Sequence, residues 1–121
     1  MATLSRQKAI IGGLTPSYAN CAVGGDVVDN SDGKTFLHVK NGSGGSITVT
    51  VTAQSTSVNT GTHGVATISN VAIALAAGSE RFIGPFPKQA FNNSSKQLAI
   101  TYSGVTSLTI AALYIEYPSN N

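Results

Sequence analysis

The chain has 121 residues, the usual size of one domain, and 41% of them are hydrophobic, which is ordinary for a globular protein. Only 10% are charged, against about 25% in a typical soluble domain, and Ser, Thr, Asn and Gly fill the gaps between apolar positions. The net charge of +2 is spread without clustering over Arg6, Lys8, Lys34, Lys40, Arg81, Lys88 and Lys96, which argues against nucleic-acid binding.

In chain order, residues 1–13 read as an extended N-terminal arm, with Leu4, Arg6, Ile10 and Ile11 as candidate partner-binding residues ahead of a Gly12-Gly13 joint. The arm carries no apolar stretch long enough for a signal peptide. Residues 14–121 read as a single β-sandwich domain, and residues 6–11 and 15–21 read as edge strands or an extended arm. Cys21 is the sole cysteine, so no intrachain disulfide forms, and folding in a reducing cytoplasm is the simplest expectation.

Asp26, Asp29, Asn30 and Asp32 form an oxygen-rich patch ending in Gly33. Such side chains suit calcium, but Val28 stands where an EF-hand loop needs an acid, and an Asp/Asn/Gly turn explains the patch as well. Gly33-Lys34-Thr35 matches the tail of a P-loop. The glycine required five positions earlier is Val28, and a strand rather than a helix should follow.

Lys34–Lys40 and Ser46–Thr52 both read as strands; in the second, Ile47, Val49 and Val51 alternate with threonines, the period of a half-buried strand. Asn41-Gly42-Ser43-Gly44-Gly45 between them predicts a hairpin, since Asn-Gly tolerates positive φ. Val65–Leu75 holds two short strands or one bent one; its Val71–Ala77 portion is the only place a helix could hide. Glu80–Ile83 is a short strand closed by Gly84-Pro85-Phe86-Pro87, where two prolines forbid regular pairing. Lys96–Tyr102 alternates cleanly, Ser103–Thr106 turns, and Ser107–Tyr117 is apolar on both parities, as in a strand covered on both faces. About seven to nine short strands predict an all-β protein, a β-sandwich of jelly-roll type.

Chemistry-bearing residues are sparse. His38 lies in a predicted strand and His63 in a Gly61–Gly64 loop, neither with a partner at metal-ligand spacing. No nucleophile-elbow sequence marks a serine, and Glu80 and Glu116 stand alone. The reading is therefore a non-enzyme without metal or cofactor. Tyr18, Tyr102, Tyr114 and Tyr117 leave an alternative: a non-catalytic adhesin or carbohydrate-binding module with exposed rings. No window approaches the ~18 apolar residues of a membrane span.

Asp29–Gly42, the Ile47–Val51 strand and Arg81-Phe82-Ile83-Gly84-Pro85-Phe86-Pro87, taken together, resemble small head-decoration (cement) proteins of tailed bacteriophages. The likeness is one of strands and turns in order, from about residue 14 to residue 117, and not of a catalytic signature. The turn at 42–45 and the polar loop at 53–64 depart most from the pattern. The resemblance implies a β-sandwich or jelly roll made in the host cytoplasm. It implies a place on the capsid exterior of the virion, with the major capsid protein and further copies of the chain (a homodimer or homotrimer) as partners. It supplies no individual binding residues.

Overall fold

A computed structural model describes residues 2–54, 57–59 and 65–115; of 57–59 and 65–67 only the backbone is described. Two mixed sheets of five strands each stack on a shared core, and a separate two-stranded ribbon stands beside them.

Branched side chains at alternate positions drive this architecture, because a strand with one apolar face must bury it against another layer. The first sheet runs β1 (Ala2–Leu4), β4 (Asp26–Asp29), β11 (Gln97–Tyr102), β6 (Ile47–Val51), β9 (Val71–Leu75). The second runs β10 (Glu80–Ile83), β5 (Thr35–Asn41), β12 (Leu108–Tyr114), β2 (Arg6–Lys8), with β3 (Ala19–Asn20) also on β12. β7 (Ser57–Asn59) and β8 (Val65–Thr67) form the ribbon. Val28, Val49, Val51, Leu75, Leu98 and Ile100 of the first sheet meet Leu37, Val39, Leu108 and Ile110 of the second, all fully buried or nearly so. Each such side chain contributes about 1.5–3 kcal/mol by leaving water. One helical turn, α1 (Lys88–Phe91), plugs a side of the core with Ala90 and Phe91.

The all-β sandwich expected from alternation is the observed fold. β8 and β9 are indeed two short strands, so the Val71–Ala77 run holds a strand, and the helical turn lies at 88–91 instead. β12 is buried on both faces, as its two-parity pattern predicts.

The hairpin expected across 41–45 is absent: β5 and β6 lie in different sheets, so the turn is an arch through the sandwich. Its reason is a side chain. Asn41 is buried and donates to the carbonyls of Gly45, Leu75 and Ala76 at 2.8, 3.0 and 3.3 Å, while its Oδ1 accepts from the Ser43 N–H at 2.9 Å. Neither Asn41 nor Gly42 has the positive φ that a two-residue hairpin requires. Ser103–Thr106 likewise carries the chain from β11 in one sheet to β12 in the other.

In the segment 1–13, expected as an arm with 6–11 either an edge strand or part of it, strands form at both 2–4 and 6–8. β1 pairs in parallel with β4 (Ala2↔Asp26 to Leu4↔Val28) and β2 in parallel with β12 (Ala112↔Arg6 to Tyr114↔Lys8). Residues 2–8 thus add an edge to each sheet, crossing between them at Ser5. Gln7 reinforces this: its Nε2 donates to the Ser17 carbonyl and its Oε1 accepts the Ser17 N–H, both at 2.7 Å, as a neighbouring strand would.

Candidate partner-binding surface

The four residues singled out from the sequence divide in two. Leu4 is half-buried and packs on the core. Arg6 Nη1 donates to both Asp32 oxygens, at 2.8 and 3.0 Å, and to Thr35 Oγ1 at 3.2 Å; Nη2 lies 3.4 Å from Asp29, and the guanidinium covers the Tyr114 ring at 4.1 Å. Both residues therefore fasten the first strands. Ile10 and Ile11 are 57% and 94% exposed, in a turn closed by the Gly13 N–H to the Ile10 carbonyl.

Sequence reasoning missed the more developed surface, on the outer face and free side of the second sheet. Antiparallel pairing sets Phe82 of β10 opposite His38 of β5. The two rings stack at 4.1 Å, Phe36 lies 6.2 Å from Phe82, and Phe82 stays 66% exposed. Tyr18 closes the other flank: its hydroxyl shares a 2.6 Å hydrogen bond with His38 Nδ1, and Lys40 Nζ sits 4.0 Å above its ring. His38 Nε2 is buried, has no hydrogen-bond partner among the described residues and lies 3.5 Å from Glu80 Oε1. The signal was available in the alternation of Phe36, His38 and Lys40, which puts all three on one face.

Around the corner of β10, a groove of about 370 Å³ opens between the edge strands of the two sheets. Val71 and Ile73 of β9 form one wall, Arg81 and Ile83 of β10 the other, and Phe86 and Phe91 the floor. Gly84 permits the close turn beneath: its φ is +109°, and a Cβ there would stand 2.7 Å from the Phe86 ring. The Gly84–Pro85 peptide is cis.

The acidic patch does not assemble as one set. Asp26 is buried inside, where Oδ2 accepts from Tyr102 Oη at 2.6 Å and from the Ala22 N–H at 3.2 Å. Asn30 is buried and bonds Asn92 Oδ1, the Phe86 carbonyl and the Thr35 N–H. Asp29 and Asp32 face Arg6. Burial acts to raise the Asp32 pKa, but hydrogen bonds from the Lys34 N–H and Arg6 outweigh it and hold the carboxyl below its usual range. Among the described residues no group of three or more His, Cys, Asp and Glu is placed to hold a metal ion. Gly33 turns with φ +73° into a strand, not into the helix a P-loop needs.

Cys21 is buried beside Asp26 and Tyr102, and burial pushes its thiol up to about 11. Burial likewise pushes Tyr102 far up. Three of the tyrosine rings considered as platforms are thus engaged: Tyr18 under Lys40, Tyr102 with Asp26 and Tyr114 under Arg6. His63, Glu116 and Tyr117 lie outside the described residues. No described helix is long and apolar enough to cross a membrane. Comparison with protein-family models, with curated proteins and with solved structures gave no match.

Proposed function

We propose that this chain is a structural virion protein, a decoration or cement protein that binds the outside of an assembled phage head and ties neighbouring major capsid subunits together. The observation that carries the reading is an aromatic strip, the exposed Phe82 ring stacked on the buried His38 and flanked by the half-buried Phe36, on a charge-poor sandwich. Large exposed rings held rigidly by neighbours are what protein interfaces use as anchors. The strip lies within the segments that carry the resemblance, since β5 and β10, from 29–42 and 81–87, are paired neighbours.

Pairing order supports the finer fold reading. β6 with β9, β5 with β10 and β4 with β11 are nested antiparallel pairs that alternate between the sheets. A strip rolled up as a jelly roll pairs in this order, and viral capsid domains use that architecture. A complete jelly roll also sets β7 beside β10, whereas among the described strands β7 pairs with β8 alone.

Such a protein acts by mass action: binding the assembled shell and not its free subunits stabilises assembly. Copies joined as a dimer or trimer hold more firmly, because each attachment raises the effective concentration of the next. The test compares heads with and without the chain. Heads carrying it should survive higher temperature; equal survival counts against the proposal. Phe82→Ala should weaken attachment about tenfold, the ~1.4 kcal/mol of a modest interface anchor, with little change in the stability of the free chain.

A further inference from the structure

Both walls of the groove are free strand edges. Among the described residues β9 pairs only with β6 and β10 only with β5. An open edge is a template for another strand, and proteins commonly guard it with a charge aimed at the inner side. Arg81 fits that description. It faces Val39 in the register, shares a side of β10 with the buried Ile83, and lines an otherwise apolar groove. Among the described residues it makes no hydrogen bond or ion pair, whereas Arg6 is fully engaged.

A purely apolar strand laid on β10 would cover this guanidinium without a counter-charge, which disfavours it. A strand carrying a carboxylate at that place would neutralise the charge and fill the groove with its next side chain on the same face. Residues two apart along a strand share a face, so the spacing is fixed whichever direction the strand runs. We propose that the free edge of β10 is a strand-addition site for an extended protein segment bearing a carboxylate two residues from a large apolar side chain. The carboxylate pairs with Arg81, the apolar group enters the groove between Ile73 and Phe86, and the β10 backbone supplies the hydrogen bonds. The guard then becomes the selector: it rejects unmatched strands, including chance aggregation partners, and accepts an acidic one.

This deepens the docking reading of the β10 side without depending on a capsid as the partner, and its test uses none. A displayed library of random heptapeptides is panned against the full chain, and bound peptides are located by amide hydrogen exchange. The expected result is enrichment of Asp or Glu two positions from Leu, Ile, Val or Phe, with new protection at residues 80–83. Arg81→Glu should turn the acidic preference into one for Lys or Arg, and Arg81→Ala should keep the apolar preference while losing the acidic one. Binding of the selected acidic peptides should fall about tenfold or more in Arg81→Glu, as for a mismatched charge pair. Absence of enrichment, enrichment indifferent to Arg81→Glu, or protection elsewhere overturns the proposal. Protection of 80–83 that rises with the concentration of the chain alone identifies a second copy as the occupant and overturns it too. Any of these failures leaves the comparison of heads with and without the chain standing as a separate result.

Discussion

Arg6 and Asn41 show how single side chains hold this sandwich together. Removing Arg6 frees two carboxylates and uncovers Tyr114. Arg6→Ala should cost about 1–2 kcal/mol in urea unfolding, more than an isolated surface pair because one guanidinium is half-buried against two carboxylates, Asp32 and Asp29. Asp32 adds a pH signature. Its folded pKa lies below the unfolded one, so its contribution is complete above the unfolded pKa of about 4 and is lost as pH falls through the folded value. Melting temperature should therefore drop on acidification below about pH 4, with a shallower drop in Asp32→Asn. Asn41→Leu removes the buried side-chain donor to the Leu75 carbonyl and the acceptor of the Ser43 N–H and should cost about 2–3 kcal/mol, measured the same way. Cys21 should resist alkylation at pH 8 in the folded chain and react in denaturant, because its thiol ionises only near pH 11. Fast labelling of the native protein would show that the 21–26 turn opens.

Individual strands were legible in the sequence because alternation is a local property. Ile47, Val49 and Val51 announce their inward face with no knowledge of the fold. Which strand neighbours which was not legible at Asn41-Gly42. The same two residues suit a hairpin or an arch, and the choice rests on carbonyls at Leu75 and Ala76, more than thirty positions away. The start of the chain misled for a related reason. Ala2–Lys8 lacks a strong apolar face, and its place in the sheets comes from parallel pairing to β4 and β12 plus the Arg6 and Gln7 contacts, all distant in sequence. Gly25 sits at the adjoining junction of β4 with β11. Its φ is +101°, and a Cβ would run into the Ile100 carbonyl, so Gly25→Ala should push β4 off β11 and lower stability by at least ~2 kcal/mol.

At the scale of the molecule, the two sides of the sandwich differ. One is closed by β1 and β2, whose crossing at Ser5 ties the sheets together. The other ends in the edges of β9 and β10, unpaired among the described residues, with the Phe82 strip and the Arg81 groove on adjoining faces. The candidate surface was only partly visible beforehand. Ile10 and Ile11 are exposed as the sequence indicated, but the Phe82–His38–Tyr18 assembly needs the pairing of β5 with β10 and the return of the 9–20 segment. A surface with so few charges should hold its partner through packing, so attachment should weaken only a few-fold between 50 and 500 mM salt. The location of the chain on a particle tests the central claim most directly. Imaging of heads assembled with it should place regular extra density on the outer shell, across contacts between capsid subunits, with the β10 side facing the shell. Heads without such density, while the chain stays free in solution, would contradict the account.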